Sequence, residues 1–415
     1  MYYKRKLENT ILEYLDKKEI LAIVGPRQSG KTTLLEKIQA DLKNSVFLNF
    51  EDKEVLELFE TDIKNFAKKY FNNYKYIFID EFQHSKNGGK NLKYLYDFYD
   101  KNKIIISGSS AIDLTIYAIK FLVGRIFVFN LYQLDFEEFL NFKQQDLLSV
   151  YLDYKKDLDL KYGKINFLNI STTLNNQFNK ILEEFLLWGG YPRVVLAKDE
   201  KEKRIILKNI YNTYFLRDIR DTLGLIDDFK LTKLIKALAI QAGQSVEYNE
   251  LGQISGYDYL TLKKYLNILE KTFICMPLAP FFQNKRKEIV KNPKLYFFDT
   301  GIRNYIVNDF KNLSDRVDVS SLYENFVFNQ LTKQEIIINF WRTKAGAEVD
   351  FILEINAEKV PLEIKSNLKK AVLTKSLNAF MEDYKSKYAI VLSKEFDKPI
   401  KKNANKIYFL PHWII

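Results

Sequence analysis

Gly25, Gly30, Lys31 and Thr32 stand in the pattern Gly-x-x-x-x-Gly-Lys-Thr, directly after the apolar run Ile20 to Val24. That pattern cradles phosphate: the glycines permit a compact turn whose backbone N–H groups face an anion, the lysine reaches the β- and γ-phosphates, and the threonine hydroxyl holds Mg²⁺. The whole loop, Gly25, Pro26, Arg27, Gln28, Ser29, Gly30, Lys31, Thr32 and Thr33, is the expected ATP-binding segment, with no separate side-chain role for Arg27. The helix that follows aims its N-terminal dipole at the same phosphates.

Asp80 and Glu81 end the bulky run Tyr76-Ile77-Phe78-Ile79. At the C-terminal end of a buried parallel strand, Asp80 is expected to bind Mg²⁺ through water and Glu81 to polarise the attacking water, so the pair implies hydrolysis and not binding alone. Ile104-Ile105-Ile106 likewise ends in Ser107-Gly108-Ser109. One of Ser107 and Ser109 is the expected γ-phosphate sensor, and the pattern leaves open which. Arg125, after a helix expected over 111–122, is a candidate arginine finger acting within the chain or on a neighbouring copy in a homo-oligomer.

A second set of acids lies in 347–366, Ala-Glu-Val-Asp-Phe-Ile-Leu-Glu-Ile-Asn-Ala-Glu-Lys-Val-Pro-Leu-Glu-Ile-Lys-Ser. Two alternating runs flank Asn356-Ala357, and a hairpin centred there pairs positions whose numbers sum to 713. Strict alternation then sends Val349, Phe351, Leu353, Val360, Leu362 and Ile364 to one face and Glu348, Asp350, Glu363 and Lys365 to the other. Asp350 opposite Glu363 is a repulsive pair that a divalent cation would relieve. Asp350 and Glu363 are therefore expected Mg²⁺ ligands, Lys365 a group that activates water or stabilises charge on phosphate, and Glu324 an added ligand or acceptor. In a purely structural hairpin Glu348 and Lys365 would form a surface ion pair. Pro361 suggests an edge strand or a bulge.

These groups need a scaffold. Apolar runs at 20–24, 45–50, 75–79 and 103–107 alternate with helical patterns, the mark of a parallel α/β sheet over residues 1–145. Residues 146–275 read as helical, broken at Trp188-Gly189-Gly190-Tyr191-Pro192. Within them 229–275 suggests a winged helix, with a turn at Gly256, Asp258 as an N-cap, and Tyr257, Thr261, Lys263 and Lys264 facing DNA. Residues 276–415 return to strands around a helix near 321–332, an α/β domain.

On these residues, 20–140 resemble the AAA-type P-loop ATPases of the additional-strand class, in which another strand separates the acid-bearing strand from the loop strand. More narrowly, the chain resembles widespread uncharacterised prokaryotic ATPases that join such a core to a domain of unknown function. The shared segments include Gly25 to Thr33, Asp80-Glu81-Phe82-Gln83, Gly189-Gly190-Tyr191-Pro192, Phe298-Asp299-Thr300-Gly301, Tyr323-Glu324-Asn325 and Glu348-Val349-Asp350-Phe351. Asp350 followed by Glu363-x-Lys365, with Glu324 upstream, resembles the PD-(D/E)XK nucleases, and this resemblance implies that 276–415 is an α/β nuclease-like domain.

A single cysteine excludes an internal disulfide or a cysteine–zinc cluster, and two histidines exclude a polyhistidine metal site. Neither histidine reads as catalytic. A net charge of +11 favours a polyanionic partner. No run approaches the ~18 apolar residues of a membrane span, which points to a cytoplasmic protein. The expected function is Mg²⁺-dependent ATP hydrolysis coupled to a nuclease-like module acting on DNA. The alternative is a nucleotide-switched ATPase that binds DNA or protein without cutting it.

Overall fold

The computed structural model describes residues 2–109, 119–166, 168–215, 219, 229–368, 373–395, 400–402 and 405–415. The expected helix at 111–122 falls largely outside them. The chain divides into two units, Met1–Gln133 with Asn267–Phe273, and Leu134–Leu266 with Ile274–Ile415. Among the described residues no helix is long and apolar enough to cross a membrane.

The first unit is a parallel sheet in the order β2-β3-β4-β1-β5: β1 (Ile20–Val24), β2 (Ser45–Asn49), β3 (Tyr76–Asp80), β4 (Lys103–Gly108) and β5 (Ile126–Asn130). β4 separates the acid-bearing β3 from the loop strand β1, as the additional-strand resemblance implies. Every residue of β1 and β4 is buried, which matches the continuous apolar runs of strands covered on both faces. The helix Lys31–Asp41 packs Leu34, Leu35 and Ile38 against Leu21, Ile23, Phe78 and Ile105. β5, at the sheet edge, carries the apolar run Ile126 to Phe129 but has no fully buried residue.

In the second unit, helices Phe136–Lys143, Gln145–Lys155 and Thr172–Trp188 precede the break at Gly189. That break is structural. Gly189 has φ +76°, and a Cβ there would collide with the Asp299 carboxylate, which accepts the Gly190 N–H at 2.7 Å and the Ile302 N–H at 2.9 Å. Two of the shared motifs are thus halves of one buried contact. Two short strands, β6 (Leu158–Asp159) and β7 (Lys164–Ile165), pair between the helices.

Helices Phe229–Ile240, Tyr248–Ser255 and Tyr259–Lys271 follow, with Gly256 left-handed at the turn and Asp258 accepting the Leu260 and Thr261 N–H groups. They lead into an antiparallel pair, β8 (Cys275–Leu278) and β9 (Lys294–Phe297), and Ser245 bridges to Lys294.

The last sheet runs β10-β11-β12-β13-β15-β14: β10 (Ile338–Arg342), β11 (Glu348–Ile355), β12 (Glu358–Lys365), β13 (Tyr388–Ser393), β14 (Ile400–Lys402) and β15 (Asn405–Pro411). It is mixed, with β12, β13 and β15 parallel. The helix Val319–Lys333 packs on one face through Phe326, Val327 and Phe328, and Lys375–Tyr384 covers the other through Leu377 and Phe380.

The hairpin turns at Asn356 and Ala357, both at positive φ, and Phe351–Leu362 to Ile355–Glu358 pair in the expected register. Strict alternation fails upstream of Phe351. β10 pairs Asn339 with Ile352 but Trp341 with Val349, so Phe340 alone faces Asp350 and Phe351. This bulge turns Val349 to the face it shares with Ile352 and the helix Lys375–Tyr384, while Phe351 joins the opposite core. Pro361 sits in an interior strand, not at an edge. The ladder to β13 begins only at Leu362, so Pro361 is not among its paired residues.

Candidate functional site

The phosphate loop joins the C-terminal end of β1 to the helix Lys31–Asp41. A side chain at Gly25 would strike the Leu131 carbonyl, and Gly30 adopts φ +95° as the residue before the helix, so both glycines are required. Arg5, from beneath, donates to the Ser29 carbonyl at 2.7 Å and the Tyr132 carbonyl at 2.8 Å, and so braces the loop. Lys31 is buried and donates to the Gly25 and Pro26 carbonyls, each at 2.9 Å. The Ser29 hydroxyl and the Gln28 amide oxygen are buried without a hydrogen-bond partner. The Ser29 hydroxyl, a donor, fits a loop whose partner is a phosphate, whereas the Gln28 oxygen is an acceptor and has nothing to take from an anion.

Thr32 donates to Asp80 Oδ2 at 2.7 Å, and the Ser107 hydroxyl donates to Asp80 Oδ1. Hydroxyl and carboxylate oxygens facing one another suit Mg²⁺. Glu81 is left-handed, with φ 54°, and accepts from the Gln83 amide, which also reaches Ser109 at 3.2 Å. Ser107 is thereby tied to Asp80, and Ser109 to Glu81 by way of Gln83. Glu51, which carries no expected role, and His84, one of the two histidines read as non-catalytic, place ligand atoms within 4.8 Å of Glu81 and of each other.

Arg125 is not brought to this loop. It precedes β5 and sits beside Ile20, at the N-terminal end of a parallel sheet whose C-terminal end carries the phosphate loop. A five-residue strand lies between, about 16 Å long. Its guanidinium pairs with Asp97 at 3.2 Å and lies over the Tyr96 ring. A finger acting on its own loop is therefore corrected by the direction of the strands.

The C-terminal acids gather differently. Beyond Phe351–Leu362, where the β11–β12 register stops, the Asp350 carboxylate takes the Ile364 N–H at 2.7 Å, in place of the direct Asp350–Glu363 pairing expected from alternation. Burial and the nearby charges of Glu324 and Glu363 push Asp350 up to about 7, against the pull of Lys294 and the Ile364 N–H. Glu363 is buried, accepts from Thr374 at 2.5 Å and pairs with Lys365 at 2.6 Å. Lys365 thus pairs with Glu363 on its own strand, not with Glu348.

Glu348 instead meets Lys294 at 2.5 Å and Arg342 at 3.5 Å. Glu324 accepts from the Tyr296 hydroxyl at 3.2 Å and stands 3.8 Å from Lys294. Burial raises the Glu324 carboxyl despite Lys294 and the Tyr296 hydroxyl. Among the described residues, Glu324, Asp350 and Glu363 do not form a trio at metal-ligand spacing, and the Glu324 carboxylate is held by Tyr296 and Lys294.

Lys294 and Tyr296 were invisible as site residues. A lysine and a tyrosine alternating on a short strand read as one solvated face, yet Lys294 is 3% exposed and Tyr296 fully buried. Asn325 holds β9 there: it accepts the Phe297 N–H at 2.9 Å and donates to the Phe297 carbonyl at 2.6 Å. The signal available was the Tyr323-Glu324-Asn325 motif, whose last residue sets the strand that partners its second.

Residues 17–140 match the model of an AAA domain, 179–313 a domain of unknown function (DUF8612), and 319–413 another domain of unknown function (DUF4143). An uncharacterised protein of Haemophilus influenzae is 24% identical over 98% of this chain and 96% of its own. An uncharacterised protein of Methanocaldococcus jannaschii is 27% identical over 84% of this chain and 76% of its own. Among solved structures, a Walker-type ATPase of Pyrococcus abyssi is similar at 16% identity and a TM-score of 0.47, covering 74% of this chain and 96% of that one. The N-terminal region is an AAA-type P-loop ATPase domain, and the C-terminal region a DUF4143 domain.

Proposed function

We propose that this chain hydrolyses ATP with Mg²⁺ and uses the cycle to operate a Mg²⁺-dependent module at its C-terminus that cleaves DNA phosphodiesters. At the first site Lys31 exchanges the Gly25 and Pro26 carbonyls for the β- and γ-phosphates, and the loop N–H groups orient the triphosphate. Thr32 and Asp80 would hold Mg²⁺, which when bound supplies positive charge to the phosphates. Glu81 orients the attacking water and accepts its proton. Ser109, joined to Glu81 through Gln83, is the γ-phosphate sensor we favour over Ser107, whose hydroxyl is committed to Asp80.

The nuclease reading rests on one observation: a bulge places the Asp350 carboxylate on the Ile364 N–H, between Glu363 and Lys365 in sequence. Asp350 and Glu363 would hold Mg²⁺, a Lewis acid toward phosphate that also lowers the pKa of bound water. Lys365 would leave Glu363 to orient that water or meet the phosphate oxygens. The three helices at 229–271, the Ser245–Lys294 bridge and the β8–β9 hairpin follow the order of a winged helix, and Lys263 and Lys264 are exposed on its third helix, available to DNA phosphates. Lys31→Ala is expected to abolish ATP hydrolysis, whereas Asp350→Ala retains it and loses DNA cleavage. A wild-type protein that cuts no DNA with Mg²⁺ or Mn²⁺ removes the nuclease half.

The second reading, nucleotide-switched binding without cleavage, draws on Lys294, which already neutralises part of the acidic cluster. It predicts nucleotide-dependent DNA binding that weakens steeply with salt. Nucleotide-dependent binding that ignores salt would identify a protein partner instead.

A further inference from the structure

Lys294 is a lysine with almost no access to water, inside a group of carboxylates. Its ammonium stands 2.5 Å from Glu348 Oε1 and 3.8 Å from Glu324 Oε2. A buried ammonium is tolerated only when partnered this closely, and removing one member of such a group leaves uncompensated charge.

The position is closed on other sides as well. Tyr296 donates to the same Glu324 oxygen. Gly243 lies against it: a Cβ there would come within 3.3 Å of Glu324 Oε2. A divalent ion bridging Glu324 and Glu348 would have to sit where the Lys294 nitrogen sits. Lys294 makes its ion pairs with Glu348 and Glu324 and none with Asp350 or Glu363, although its charge still reaches Asp350, and Lys365 at Glu363 is the more exposed lysine.

Resting on the nuclease reading, we infer that Lys294 is a built-in cation that takes the place of a second metal, so the C-terminal site uses a single divalent ion held by Asp350 and Glu363. Glu324 and Glu348 then bind Lys294 and not metal. Chemistry at phosphate would proceed with one ion and Lys365, and the lysine strand, part of the β8–β9 hairpin that follows the helices at 229–271, would keep the pocket folded before the ion arrives.

Mn²⁺ binding to the full chain without nucleotide, counted from the free-ion spin-resonance signal, tests this. Asp350→Asn sets the baseline for ions held elsewhere. Wild type is expected to hold one Mn²⁺ more than Asp350→Asn. Lys294→Met should hold one more than wild type and gain more thermal stability from Mn²⁺, Lys294→Arg should match wild type, and Lys294→Met with Glu324→Gln should return to the wild-type count. A Lys294→Met chain with the wild-type count, and no greater stabilisation by Mn²⁺, overturns the inference. So does a wild type that holds two ions beyond the baseline. An Asp350→Asn chain that holds as many ions as wild type removes the nuclease reading instead; the gain in Lys294→Met is counted at Glu324 and Glu348 and is read separately.

Discussion

The two candidate sites handle charge in opposite ways. The phosphate loop is made mostly of backbone from one short stretch, and its own buried lysine, Lys31, donates to two neutral carbonyls. The C-terminal cluster draws side chains from β9, β11, β12 and the helix Val319–Lys333, and its buried cation is locked to carboxylates. A lysine parked on neutral carbonyls is released at little cost when phosphate arrives, whereas one held by buried carboxylates is not. The first lysine therefore reads as poised to move, and the second as part of the structure.

The largest effect that would break this contrast belongs to Lys31. Lys31→Ala should reduce ATP turnover by about 10²–10³-fold, the scale of losing one preorganised group at a charged transition state. Turnover within tenfold of wild type would mean that the amine does not leave its carbonyls for phosphate.

Gly189→Ala comes next. It forces a Cβ into the Asp299 carboxylate at a left-handed position, and should cost about 2–4 kcal/mol of stability in chemical denaturation. A loss below about 1 kcal/mol would show that the Gly189–Asp299 contact does not hold the second unit together.

Asp350 sharpens the comparison through pH. Its folded-state pKa, about 7, lies above the ~3.9 of an unfolded aspartate, so the native chain keeps a proton that the unfolded chain has lost between those values. That stabilisation is complete below about pH 4 and is lost as pH rises through 7. With metal chelated, Asp350→Asn should therefore be more stable than wild type at pH 8, by about 1–3 kcal/mol, and the margin should shrink by pH 5. Mn²⁺ should close the gap at pH 8. Equal stability of the two proteins at pH 8 in chelator would contradict a buried, charge-crowded Asp350.

The smallest effect is expected from Arg125→Ala. Its ion pair with Asp97 is about one-third exposed, so stability should change by ~0–1 kcal/mol. In dilute protein, hydrolysis should be unchanged. A large loss at low concentration would require a route from Arg125 to its own loop that the strand direction does not provide. A loss seen only at concentrations that favour assembly would assign it to a neighbouring copy.

Legibility followed the same division. Gly25 to Thr33, Asp80, Ser107 and Ser109 were readable because each sits at the end of a buried parallel strand, where a solid apolar run stops and polar residues begin. β5 was not among the expected strands, although Ile126 to Phe129 is itself an apolar run. In the hairpin the register was legible from alternation and the Asn356-Ala357 turn. The bulge at Asp350 was not, because it depends on how β10 pairs with β11. Lys294 and Tyr296 were hidden for a related reason: their burial is created by Asn325 on a helix some thirty residues away.

By itself the sequence determined the phosphate loop, the acids that complete it, the parallel order of the first sheet and the turn of the C-terminal hairpin. All of these follow from local backbone requirements and from apolar periodicity, which neighbouring residues impose on one another. Tertiary structure alone decided that Arg125 faces away from the loop, that Asp350 meets the Ile364 N–H, and that Lys294 sits between Glu324 and Glu348. Those are meetings of charges from distant segments. Whether such charges are solvated or paired depends on burial, and burial exists only once the segments have packed together.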